Sequence, residues 1–332
     1  MEDDLFPFER MQRSVLVKRE AKTSHSFGKD PNTRPVAELL QYSIINVDKP
    51  SGPTSHQVSA YVQHILNIKK SGHSGTLDPK VTGVLPVAIG RATRIVQALL
   101  SAGKEYIGVM HAHKPVSKEQ LEGVIEKKFL GRIQQLPPIK SSVKRQLRYR
   151  KIYYFKILEV DGQDVLFRVG CQAGTYIRKL IHDLGEALGC GAHMAELRRT
   201  RAGPFDESTL CSLQDLTDAF WYYEHEQSEE RLLKILQPIE HAVQHLPKVW
   251  ILDSAVDALC HGADLAIPGV AKIESDTQVD EKIAIFTLKD ELIALGISKM
   301  ISKEIIDKET GIAVKTDKVF MQPGTYPKIR KA

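Results

Sequence analysis

Gly72-His73-Ser74-Gly75-Thr76-Leu77-Asp78-Pro79, running on through Lys80-Val81 into Thr82-Gly83-Val84-Leu85-Pro86-Val87, sets the reading of this chain. It places a single carboxylate, Asp78, among small residues and beside a proline. Glycines at 72 and 75 let a planar ligand or a nucleic-acid backbone approach the main chain closely. Pro79 restricts the backbone of Asp78, which helps to hold a side chain still for covalent chemistry. The plain alternative is an Asp-Pro turn joining two elements.

Upstream of this stretch, Tyr42 to Val47 reads as a short strand ended by Asp48-Lys49-Pro50. Ser51-Gly52-Pro53-Thr54-Ser55 is a turn leading to a helix cap. The helix over 55–68 carries Val58, Tyr61, Val62, Ile65 and Leu66 on one face. Downstream, 84–89 reads as a buried strand, 91–100 as helical and 104–110 as another strand. Ser117 caps a helix that ends near Gly131, with Gln120 placed as in a capping box. The stretches 152–160 and 165–169 form a hairpin around Asp161-Gly162. The run 176–188 is helical, with Ile177, Leu180, Ile181, Leu184 and Leu188 in one stripe and glycines 189 and 191 ending it.

Strands and helices alternate without a regular βαβ rhythm, so the spacing predicts an α+β unit on a mostly antiparallel sheet over 37–246. Residues 213–246 are expected to be mainly helical and to close it. Pro247 to Val249 marks a boundary, and 247–332 reads as a small β-barrel-like module. Residues 1–36 mix charges with scattered prolines and read as an arm, either ordered only on a neighbour or disordered.

Composition limits the function classes. The chain has 332 residues, 42% of them hydrophobic, with a formal net charge of +5. That length predicts two or three domains with real cores, and the charge excess is small enough that its placement matters more than its total. Cys171, Cys190, Cys211 and Cys260 lie far apart and form no CxxC, against a zinc ribbon or a redox pair. The acidic start MEDDLFPFER has no signal-like apolar run, and no stretch reaches the length of a membrane span. A soluble intracellular protein of the cytoplasm, with no membrane partner, is the expectation.

Asp78 is the first candidate for chemistry. A working carboxylate must stay ionised in a partly dry site, and an arginine nearby would hold and orient it. By pattern the donor is Arg178, in Gly174-Thr175-Tyr176-Ile177-Arg178. It sits in the first turn of its helix, where the helix field gives a cation nothing; a solvated arginine is the alternative. Tyr106, in Lys104-Glu105-Tyr106, offers a ring that could stack on a base or simply fill the core. Lys140, Lys144, Arg145, Arg148, Arg150 and Lys151, with Tyr149, form an acid-free run suited to gripping phosphates. Arg198, Arg199 and Arg201 add a second cluster, readable as surface solubility. His73 stands equally for substrate contact or turn packing. His111 and His113 lack a third spaced metal ligand.

Together these segments resemble the TruB/dyskerin family of RNA pseudouridine synthases. The stretch around Asp78 resembles the family's catalytic motif. Asn46 to Pro50 with Ser51 to Ser55 resembles the motif before it, Lys104-Glu105-Tyr106 the tyrosine segment, and 174–180 the arginine segment. Leu197 resembles the apolar residue lining the uracil pocket. The region from Val249 to about Lys328 resembles the RNA-binding PUA domain, and 140–151 resembles the thumb loop that closes on RNA. The whole is most similar to the catalytic subunit of archaeal box H/ACA particles.

The resemblance implies isomerisation of uridine to pseudouridine in ribosomal RNA, directed by a guide RNA and assisted by small partner proteins. Asp78, Tyr106 and Arg178 would be catalytic, and His73, Tyr176 and Leu197 would bind the substrate. No cofactor or metal is implied. A stand-alone synthase acting on the transfer-RNA T stem-loop, a non-catalytic RNA-binding scaffold and a hydrolytic glycosylase are the competing readings.

Overall fold

The computed structural model describes residues 4–137 and 145–328. Among them a nine-stranded sheet runs in the order Leu236–Pro238, Tyr42–Lys49, Thr82–Gly90, Ala192–Ala202, Lys104–Ala112, Asp164–Cys171, Arg148–Asp161 and Gly131–Gln135, with Ser71–His73 added against Thr82–Gly90. Every pairing is antiparallel except that of Thr82–Gly90 with Ala192–Ala202, which is parallel at Thr82↔Arg198 and Gly83↔Arg199. This junction joins the two halves of the sheet. Backbones crowd there: a Cβ on Gly83 would lie 2.2 Å from the Arg199 carbonyl oxygen, at a φ of +99°, so only glycine fits.

Each half has its own core. On one side Val58, Val62 and Leu66 of the helix Ser55–Ile65 and its C-terminal turn pack with Ile45, Val47 and Leu85. Tyr61, expected on that apolar face, is 45% exposed. It lies about 100° around the helix from the centre of the Val58, Val62 and Leu66 arc, so its ring falls on the flank. On the other side Ile177, Leu180, Ile181 and Leu184 of the helix Ile177–Leu188 pack with Leu77, Val81 and Phe167. The stretch expected to be helical to 246 breaks earlier. Helices Leu213–Glu226 and Glu230–Ile235 give way to the edge strand Leu236–Pro238 and a 3-10 turn.

A second sheet of seven strands gathers the C-terminal residues. Its edge strand is Val15–Val17, which pairs antiparallel with Val270–Glu274. The arm therefore orders on this same chain rather than on a neighbour. Phe6 is fully buried, with the Arg201 guanidinium 4.4 Å from its ring centroid. No helix among the described residues is long and apolar enough to cross a membrane.

Candidate active site

The Asp78 turn is pinned from below. The Leu77 backbone N–H donates to Ser55 Oγ at 2.8 Å, and Ser74 N–H to the Pro86 carbonyl at 3.0 Å. Lys49, fully buried, donates its three ammonium protons to the carbonyls of Pro50, Pro79 and Val81 at 2.8, 2.9 and 2.8 Å. A buried ammonium is tolerated only when all its donors are satisfied. Here the result is a rigid peg under the loop that follows Asp78. Burial lowers the Lys49 pKa, and the charge of Asp78 opposes that.

Arg178 reaches across from the helix Ile177–Leu188 and forms an ion pair with Asp78. The two residues are 100 positions apart in the chain. Both side chains stay about half exposed, 62% for Arg178 and 52% for Asp78. The loop that delivers Arg178 is held by buried Gln135, whose amide accepts from Tyr176 N–H at 3.0 Å and donates to the Tyr176 carbonyl at 3.2 Å.

The pair stands at a cavity of ≈ 620 Å³ that Tyr106, Tyr176, Leu197, Cys171, Lys104 and Arg199 also line. Tyr106 lies in the core yet meets the cavity. Burial raises its hydroxyl pKa, against the neighbouring Arg199, which lowers it. Tyr176 and Leu197 line the same cavity. Asp78, Arg178, Tyr106, Tyr176 and Leu197 are thus brought together.

His73 is not part of this group. It lies on the strand Ser71–His73, 4.7 Å ring to ring from His56, and lines a separate groove with Arg94, Gln97 and Lys318. The Gly75-Thr76 segment is the wall between the groove and the cavity. Burial first, then His56 and Arg199, push the His73 imidazole down to about 4.

Of the basic run, Lys140 and Lys144 lie outside the described residues. Arg145 precedes the strand Arg148–Asp161, which carries Arg148, Arg150 and Lys151. Strand alternation divides these residues between two faces. Tyr149 and Lys151 are exposed, and the Arg132 guanidinium sits 3.8 Å from the Tyr149 ring centroid. On the other face, the Arg150 guanidinium abuts Gly174, whose missing Cβ would lie 3.0 Å from it.

The second cluster is not a set of free surface cations: two of its arginines are paired with carboxylates and the third is buried. Arg198 pairs with Asp48 at 3.0 and 3.1 Å and with Glu207 at 2.6 Å. Arg201 pairs with Glu9. Arg199 is 1% exposed.

Sequence reasoning missed Lys49, Lys104, Gln135 and Arg199 as parts of the site. The signal for two of them was there. Period-two alternation puts Lys104 on the face of Tyr106, and Arg199 on the face of Leu197. Lys104 donates to the Leu99 and Ala102 carbonyls at 2.7 and 2.8 Å, and burial pushes its ammonium down to about 7.

Comparison with known proteins covers nearly the whole chain. Residues 63–177 match the model of the TruB family pseudouridylate synthase N-terminal domain, and 178–244 that of the tRNA pseudouridylate synthase B C-terminal domain. Residues 247–320 match the PUA domain, and 5–59 the DKCLD domain. A probable tRNA pseudouridine synthase B of Methanopyrus kandleri is 54% identical over 98% of this chain and 96% of its own length. Its namesake in Pyrococcus furiosus is 55% identical over 96% and 94%. Among solved structures, a chain of a Cbf5–Nop10–Gar1 complex superposes with a TM-score of 0.94 at 54% identity, covering 98% of this chain and 99% of that one. A chain of an H/ACA ribonucleoprotein bound to a substrate RNA containing 2′-deoxyuridine does so with a TM-score of 0.92 at 52% identity, over the same shares.

Proposed function

The chain belongs to the TruB family of pseudouridylate synthases, and from that premise we propose that it is the catalytic subunit of a box H/ACA-type particle. It isomerises uridine to pseudouridine in ribosomal RNA at positions chosen by a guide RNA, with small proteins of the Nop10 and Gar1 kind as partners. The observation that carries this is the superposition on a chain of the Cbf5–Nop10–Gar1 complex across 98% of the sequence, N-terminal arm included. A cytoplasmic location belongs to the proposal.

The reaction breaks the bond from the sugar C1′ to N1 of uracil. The base turns while still bound, a bond from C1′ to C5 forms, C5 loses a proton and N1 gains one. No electron is exchanged and no water is consumed, so the chemistry requires neither cofactor nor metal. Asp78 supplies the carboxylate, as nucleophile at C1′ or as base at the sugar. Arg178 pairs with Asp78 and aims it. Tyr106 stacks on the flipped base, with Leu197 and Tyr176 completing the slot, so that pocket contacts repay the cost of unstacking. Arg145, Arg148, Arg150 and Lys151, continuing the run that begins with Lys140 and Lys144, grip phosphates near the cleft. His73 faces the neighbouring groove and has no part in the base slot.

The naming of the Methanopyrus kandleri and Pyrococcus furiosus relatives as transfer-RNA pseudouridine synthases favours a second reading, a guide-independent enzyme for transfer RNA. Tritium release from RNA labelled at uridine C5 separates the two. The expected result is release from a ribosomal RNA fragment only when a matching guide RNA and the small partners are present. Equal release from transfer RNA by the chain alone would replace the guided reading with the second one.

A further inference from the structure

Glu105 is a buried carboxylate, 2% exposed, that the chemistry of the cleft does not use. Its Oε2 accepts the Tyr154 hydroxyl at 2.5 Å and the Arg168 Nε at 2.7 Å, and its Oε1 accepts the Thr200 hydroxyl at 2.7 Å. Burial, then the Glu105 carboxylate itself, raise the Tyr154 hydroxyl pKa, so that oxygen stays protonated and donates. Each donor comes from a different strand: Tyr154 from Arg148–Asp161, Arg168 from Asp164–Cys171 and Thr200 from Ala192–Ala202. The carboxylate ties all of them to its own strand, Lys104–Ala112. Tyr154 reaches it across Gly170, where a Cβ would lie 2.2 Å from the Tyr154 ring. The arm closes the outer side of the network. Phe6 stacks on Tyr154 with ring centroids 6.5 Å apart, Asp4 pairs with Lys156 at 2.5 Å and Arg168 at 3.5 Å, and Glu9 pairs with Arg201. A carboxylate taken out of water is tolerated only when its charge and lone pairs are answered. Under that cover Arg168 and the two hydroxyls answer them.

Glu105 and Tyr106 are neighbours on one strand and point to opposite faces. Glu105 faces the arm, and Tyr106 faces the cavity. Between them the pairing with Ala192–Ala202 breaks step. Glu105 stands opposite Arg201 and Tyr106 opposite Arg199, so Thr200 has no counterpart. A bulge of this kind bends and twists the strand and re-aims the side chains beside it. Thr200, the extra residue of the bulge, is also the one that donates to Glu105. We propose that Glu105 is a positioning residue for the isomerisation: it locks the bulge, and the locked bulge holds the Tyr106 ring in the cleft as a stacking face already in place when the flipped base arrives. This rests on the isomerase reading.

Glu105→Ala in the assembled, guide-containing particle tests this with two readouts. The single-turnover rate at saturating substrate RNA is expected to fall about 10²-fold, the scale of a misplaced group, with RNA affinity unchanged. The fluorine NMR line of a ring-fluorinated tyrosine placed at Tyr106 alone is expected to shift or broaden in the same variant. A merely structural role lowers the yield of folded particle but leaves the rate per particle and the line where they were, and that result overturns the inference. Either change without the other overturns it too, because the loss would then not act through the ring. Should Glu105→Ala fail to fold, Thr200→Val serves in its place, since it keeps the shape and removes only the hydroxyl that pins the bulge. A smaller rate loss with the same movement of the line is expected, and an unmoved line overturns the inference. A wild-type particle that makes no pseudouridine overturns the isomerase reading, whereas the fluorine line reports the tie between Glu105 and Tyr106 independently of turnover.

Discussion

Arg34 and Glu240 meet inside the molecule, and Arg178 and Asp78 meet at the mouth of a cleft. The chemical groups are the same. The buried pair is bidentate at 2.8 and 2.8 Å, with side chains only 5% and 10% exposed. Glu240 also accepts the Leu292 backbone N–H at 2.9 Å, and Arg34 reaches Glu38 at 3.3 Å. All three guanidinium nitrogens and both carboxylate oxygens have partners, and the pair ties the arm to the segment that carries Glu240 and to the second sheet. The cleft pair has no such surroundings. Both partners are about half in water, where an ion pair contributes about 0–1 kcal/mol. A pair so weakly bound can exchange partners when a substrate arrives. The difference teaches that burial, not charge type, decides whether an arginine–carboxylate pair holds the fold or stays available for chemistry.

Three changes would break or confirm that contrast. The largest effect is expected from Asp78→Asn, which should lower pseudouridine formation by at least about 10⁴-fold, the scale of losing a group that acts on the reacting atoms. Its unfolding free energy in urea should stay within about 0.5 kcal/mol of wild type. A clearly destabilised Asp78→Asn protein would mean that the cleft pair is structural after all. Glu240→Ala should do the reverse, costing about 3–5 kcal/mol because it strands a buried guanidinium. The rate per folded molecule should hardly change. If Glu240→Ala melts like wild type, the buried pair is not what ties the arm down.

The third concerns acid. Burial pushes His73 and His245 down to about 4, in His245 with Lys104, Lys282 and Arg13 adding to it. The ordinary imidazole value is about 6.5. Between the two values the folded state binds fewer protons than the unfolded one, so stability is full above about pH 6.5 and falls as the pH drops toward 4. Thermal melts across that window should show the decline, and His245→Gln should remove part of it. An unchanged slope would exclude His245 as a buried neutral group.

The sequence carried the local elements well, because they rest on local signals. The capping boxes at Thr54 with Gln57 and Ser117 with Gln120 are present. The stripe of the arginine helix is buried almost as read. Asp78, Arg178 and Tyr106 were legible as types in a pattern, and their convergence was expected from that pattern and the family resemblance, while the parallel junction that produces it is announced by no local period. The buried cations failed for a different reason. Lys49, Lys104 and Arg199 look like surface charge, and only the backbone carbonyls that surround them make burial affordable. Arg198 and Arg201 were misread in the same way, because their partners Asp48, Glu207 and Glu9 lie far off in sequence or across a turn.

That misreading yields the smallest effect and extends the contrast to RNA. A cation already answered by carboxylates releases few counterions from a phosphate backbone, whereas one left in solvent releases its share. Arg198 is held by Asp48 and Glu207, while Arg145 and Lys151 are exposed. Arg145→Ala and Lys151→Ala should each weaken RNA binding modestly and reduce the slope of log affinity against log salt by about 0.7 to 0.9. Arg198→Ala should leave that slope alone, although it removes the same formal charge. A titration series at four salt concentrations distinguishes these outcomes. If Arg198→Ala lowers the slope as much as Arg145→Ala does, then its carboxylate partners let go when RNA arrives, and paired surface arginines here behave like the cleft pair rather than the buried one.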